Sequence, residues 1–74
     1  MSEIRNASGG DGWATWSIDR EPDGNYFIVV TSHAERNTDG SNKVVYVSDD
    51  IRNGRAALEK AISVASNYAQ RMAS

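Results

Sequence analysis

Cysteine is absent from this sequence, and histidine and proline occur once each. Without thiols there is neither a disulfide framework nor a thiolate metal site, which suits a reducing compartment. The lone histidine, His33, has no serine or carboxylate that the sequence pins beside it, so a nucleophilic or acid–base set is not expected. His33 and Glu35 supply two ligands where a metal site needs more, and no metal or cofactor is expected. Long apolar runs are missing too. Tyr26-Phe27-Ile28-Val29-Val30 is the longest, far short of the roughly 20 residues of a membrane-spanning helix. Residues 1–12 hold no apolar segment of the kind a secretion signal carries, and the expected compartment is the cytoplasm. Phosphate-cradling loops follow a strand and open a helix, whereas Ser8-Gly9-Gly10-Asp11-Gly12 precedes a strand pattern. An enzyme is therefore not expected.

What the 74 residues do contain, 39% hydrophobic and 24% charged, is enough for one small folded domain. The net charge of −2 conceals an asymmetry. Residues 1–50 carry nine acids against Arg5, Arg20, Arg36 and Lys43, while residues 51–74 carry Arg52, Arg55, Lys60 and Arg71 against Glu59 alone. An acidic front half disfavours contact with a phosphate backbone, which depends on clustered cations displacing counterions.

Ser8-Gly9-Gly10-Asp11-Gly12 reads as flexible and polar, so residues 1–12 are expected to form a tail and residues 13–74 the domain. From Trp13 the chain alternates in type up to Arg20, meets the turn signal Glu21-Pro22-Asp23-Gly24, and continues in a β-rich run from Tyr26. Proline presets the second turn residue and Gly24 accepts positive φ, which predicts a type I turn with a glycine bulge. The register that follows pairs Ile18 with Ile28, Trp16 with Val30, and Asp19, Ser17, Thr15 and Trp13 with Phe27, Val29, Thr31 and His33. One face then holds Ala14, Trp16, Ile18, Tyr26, Ile28 and Val30, and is the expected core. A polar loop over residues 34–42, with its own Asp39-Gly40 signal, leads to a third strand, Lys43-Val44-Val45-Tyr46-Val47-Ser48, apolar on both sides.

The remaining residues follow a helical period, with Ile51, Leu58, Ala61, Ile62, Ala65, Ala69 and Met72 in one stripe and Ala57, Val64 and Tyr68 on a flank. Ser48, Asp49 or Asp50 is expected to cap this helix. Gly54 is awkward inside a helix. It either permits close approach to the sheet or marks a start near Asn53. The predicted class is α+β, a three-stranded antiparallel sheet with one C-terminal helix packed on one face (βββα).

Odd spacing on a strand sends Trp13 and Trp16 to opposite faces. One helix shields one face only, so Trp13, Phe27, Val29 and a pair from the third strand, either Val44 with Tyr46 or Val45 with Val47, are expected to stay outward. A contiguous apolar set of that size marks an interface. Association would also help a domain whose core alone nets about 3–5 kcal/mol.

The layout from the first strand onward is similar to that of the double-stranded-RNA-binding domain, but it has no leading helix, and the final helix opens on Ser48-Asp49-Asp50 where that family carries lysines. Thr15, Ser17 and Thr31 stand where sheet-face DNA readers need arginines. Direct binding of nucleic acid is thus a weak alternative. In size, acidity and layout the chain resembles small phage-encoded inhibitors, including anti-CRISPR proteins. That resemblance implies a protein partner, such as a nucleic-acid-processing complex, met by steric blockade or nucleic-acid mimicry. Trp13, Phe27, Val29 and Tyr46 would then supply apolar anchorage, and Asp19, Glu21 and Asp23 charge. The competing expectation is a homodimeric regulatory or structural domain joined through the open sheet face.

Overall fold

Two loops of one design set the topology of the computed structural model, which describes residues 5–73. In Glu21-Pro22-Asp23-Gly24-Asn25 the Gly24 amide donates to the Glu21 carbonyl at 2.9 Å and the Glu21 amide to the Asn25 carbonyl at 2.8 Å. Asn37-Thr38-Asp39-Gly40-Ser41 repeats the pattern at 3.0 and 2.8 Å. Both glycines have positive φ, +94° and +88°, a region that side chains with a Cβ avoid. In both loops the aspartate carboxylate accepts the amide two residues on, Asn25 from Asp23 and Ser41 from Asp39, each at 2.9 Å.

These loops join four antiparallel strands in the order β1-β2-β3-β4: β1 (Asn6–Gly10), β2 (Ala14–Arg20), β3 (Tyr26–Arg36) and β4 (Asn42–Ile51), followed by helix α1 (Gly54–Ala73). The class is α+β with one C-terminal helix, as expected, but there are four strands and not three. The β2–β3 register is the predicted one, with Ile18 opposite Ile28, Trp16 opposite Val30 and Asp19 opposite Phe27.

The extra strand is β1, inside the residues expected to be a tail; residues 1–4 lie outside the described ones. Its glycines act as a slot. Gly9 sits opposite Trp16, and a Cβ there would come within 2.8 Å of the indole Cζ2, so the ring lies where only a glycine leaves room. The turn is held by Asp11, whose carboxylate accepts the amides of Trp13 and Ala14 at 2.8 and 3.1 Å. The hairpin thus crosses the expected domain boundary at residue 13.

The core is one-sided. Ala14, Ile18, Tyr26, Ile28 and Val30 from the sheet meet Ala57, Ala61, Ala65 and Tyr68 from α1. Alanines at four-residue spacing form a shallow seam that lets the large sheet side chains approach the helix axis. This rotates the helix from its expected stripe: Ala57, Val64 and Tyr68 face the sheet, and Ile62 is 46% exposed. The cap also differs. Asn53 accepts the Ala56 amide on its side chain at 3.0 Å and the Ala57 amide on its carbonyl at 2.9 Å, so it is the N-cap and Gly54 the first helical residue. Ser48, Asp49 and Asp50 belong to β4.

Candidate interaction surfaces

Ladder partners share a face, so the β2–β3 register places Asp19, Ser17 and Thr15 outward with Phe27, Val29 and Thr31; just beyond the ladder the His33 amide donates to the carbonyl of the exposed Trp13 at 2.8 Å. Strand β1 widens the sheet without crossing this face, because Ala7 and Gly9 pair with the inward Ile18 and Trp16. The inner side carries α1, and among the described residues no element lies over the outer side.

Strand β4 contributes through an irregularity. Val30 pairs with Tyr46 and Thr31 with Val44, leaving Val45 as an extra residue opposite no partner. Such a bulge interrupts strict alternation. Val45 and Tyr46 therefore both pack against the inner core, and Val44 and Val47 emerge as the outward pair. Tyr46 is corrected as a site residue: it is half-buried beneath α1, with Lys60 Nζ 5.8 Å from its ring centroid, a cation–π distance. The outer face retains Trp13 at 37% exposure, Phe27 at 38%, Val44 at 47% and Val47 at 54%, with Val29 half-buried among them.

Phe27 stands at the acidic end of this band. Asp19 is its partner on β2, and on β4 the register between Ser48 and Ile51 leaves Asp49 and Asp50 together opposite it. All three acids are exposed. Glu21 and Asp23 occupy the adjoining turn, where the Asp23 carboxylate accepts the Asn25 amide and the Asp23 carbonyl accepts from Arg52 at 3.4 Å. The Asp23 carboxylate is thus partly committed to loop geometry, and Asp50 accepts from the Ser48 hydroxyl at 2.8 Å on the side of the inward Ile28, which leaves Asp19 and Asp49 beside Phe27 on the face itself. At the other end of the face His33 shares a hydrogen bond with Thr15. Glu35 turns to the helix side, so His33 and Glu35 do not converge on one ion.

That turn builds a second feature. Ser32, fully buried, accepts the amides of Ala34 and Glu35 at 3.0 and 2.9 Å and lies 2.7 Å from the Tyr68 hydroxyl. Tyr68 donates to Glu35 Oε2 at 2.5 Å, which leaves the Ser32 hydroxyl to donate to the phenolic oxygen. The Glu35 carboxylate holds the phenol proton and raises the Tyr68 pKa, and the Ser32 hydrogen bond opposes it in part. Lys43 Nζ lies 3.9 Å from Glu35 Oε1. Beside this network a groove of about 420 Å³ opens between α1 and β4, with Val45 and Val64 at its apolar part and Lys43, Asn67 and Arg71 at its polar part. Val44, on the edge strand, borders both this groove and the outer face. Nothing in the strand or helix periods marked the groove, since it depends on which strands the helix covers.

Among the described residues no helix is long and apolar enough to cross a membrane, and no group of three His, Asp or Glu side chains gathers as metal ligands would. The chain matches no family model, no curated protein and no solved structure.

Proposed function

We propose that this chain is a non-enzymatic protein-binding module that works in the cytoplasm by covering a partner's surface with its outer sheet face. It would act as a small inhibitor of the phage-encoded, anti-CRISPR-like kind. The observation that carries this reading is that Trp13, Phe27, Val44 and Val47 all stay exposed on the one sheet face that α1 does not cover. At the Phe27 end the face is flanked across the ladder by Asp19 on one side and Asp49 on the other. Aromatic anchors supply affinity through desolvated area, and the surrounding charge selects a cationic counterpart and speeds encounter. A protein groove that ordinarily holds nucleic acid has that complementary character.

The test is capture of a partner from host lysate by the tagged chain, compared with the Trp13→Ala/Phe27→Ala variant and with the double reversal Asp19→Lys/Asp49→Lys. Both variants should lose the captured protein. Retention by the aromatic variant would sink the reading; retention by the reversed variant alone would leave steric blockade and remove mimicry.

A homodimer is the second reading, favoured by size. The chain extends 38 × 26 × 17 Å, so its broad face suits an interface of about 800 Å² per partner. Light scattering separates the two readings, since a monomer has a mass of 8.1 kDa and a dimer twice that.

A further inference from the structure

We propose that the groove between α1 and β4 is a second docking site, and that its occupant is an acidic amphipathic helix of a partner protein. A helix about 10 Å across covers roughly two strands spaced about 4.8 Å apart, and α1 lies chiefly over β2 and β3. The uncovered margins of the inner face are unequal. On the β1 side the Trp16 indole lies over Gly9, with Ala7 and Leu58 packed alongside. On the β4 side Val45 and Val64 face a groove of about 420 Å³. The vacancy runs beside α1, where a second helix lies in a two-layer fold.

Charge specifies the occupant. Lys43 and Arg71 line the groove, and Lys60 over the Tyr46 ring marks its continuation along the same flank of α1. The one acid lining it, Glu35, is already engaged by the Tyr68 hydroxyl and by Lys43. An incoming helix with carboxylates flanking an apolar stripe would satisfy the cations and bury the valines. The helix of a second copy does not fit, because Glu59 is its only acid and is offset by Arg55 on the same outward face. An added strand is disfavoured as well: β4 is irregular at Val45 and again at Asp49–Asp50, and bulges break the backbone ladder that an incoming strand needs.

The experiment is a titration of the isotope-labelled full chain, followed by amide chemical shifts, with two synthetic amphipathic helical peptides. One combines leucine with glutamate and the other leucine with lysine. The acidic peptide should shift Val45, Val64 and Asn67, and the basic peptide should not. Lys43→Gln/Arg71→Gln should weaken the acidic peptide about tenfold or more while the dispersion of the spectrum stays native, and Phe27→Ala should leave it unchanged. Equal binding of both peptides, shifts confined to the outer face, indifference to the double substitution, or silence at about 1 mM peptide, the weak end of specific affinity, would each overturn the proposal. None of those outcomes counts against docking through Trp13 and Phe27, which lie on the opposite side of the sheet.

Discussion

The inner and outer faces of the sheet both carry large apolar side chains, and these meet opposite fates. Ile18, Tyr26, Ile28 and Val30 are fully buried or nearly so, while Trp13, Phe27, Val44 and Val47 each keep more than a third of their surface in solvent. Strand preference does not distinguish Phe27 from its neighbour Ile28; a single step along the strand does. Only the inner face has an opposing seam, the alanines at 57, 61 and 65 that let α1 settle closely. Folding energy is therefore concentrated on one side, and large apolar side chains are left exposed on the other.

The sharpest way to break that division is to truncate neighbours. Ile28→Ala removes a side chain with no exposed surface and should cost about 2–5 kcal/mol. A domain of this size holds about 3–5 in all, so circular dichroism should find the variant largely unfolded at room temperature. Phe27→Ala gives up a cross-strand pair on the open face and should cost about 0.2–1 kcal/mol, read as a small shift of the urea midpoint. If the two exchange rank, the outer face is part of the folding core and is not a docking surface.

The helix offers a second pair. Ala61 is fully buried and Ile62 is 46% exposed. Ala61→Leu should overpack the seam at about 1–3 kcal/mol, whereas Ile62→Ala should stay within about 0.5 kcal/mol. Equal costs would mean that the helix sits in the rotation its hydrophobic stripe predicts, with Ile62 inward.

How much of this was readable beforehand depended on whether a local signal marked the event. Pro22-Asp23-Gly24 fixes a turn of known length, and the β2–β3 register, the inward set and the outward Trp13, Phe27 and Val29 all follow from it by parity. Val44-Val45-Tyr46-Val47 has no such marker. Four strand-favouring residues in a row leave a bulge invisible, which is why Tyr46 was assigned to the wrong face. Gly9 and Gly10 were read as freedom, when at Gly9 the missing Cβ accommodates the Trp16 ring; Asp11-Gly12 was itself a hairpin signal. The rotation of α1 was hidden because alanine ranks low in hydrophobicity and because Tyr68 is drawn inward by a hydrogen bond to a serine 36 positions away. The groove at Lys43 and Arg71 inherits that difficulty, since it exists only where the helix is not.

The smallest effect belongs to the polar tether between the inner face and the helix. Tyr68 gives its proton to Glu35 and takes one from Ser32, and its pKa is raised chiefly by the Glu35 hydrogen bond. The folded chain therefore holds this proton more tightly than the unfolded chain. The stabilisation is fully present below the unfolded phenol value of about 10 and is lost as pH rises through the higher folded value. Tyr68→Phe has no proton to lose. Urea midpoints of the two proteins, measured from neutral pH upward, should lie furthest apart near neutrality, with the wild type more stable, and should converge in alkali as the wild type loses its advantage. Arg71 acts in the opposite direction by favouring the phenolate, so Arg71→Gln should leave the onset of that convergence in place and carry its completion to higher pH. A gap between wild type and Tyr68→Phe that stays constant with pH would show that the hydroxyl is not bound to Glu35 in solution, and that the end of β3 is joined to α1 by apolar packing alone.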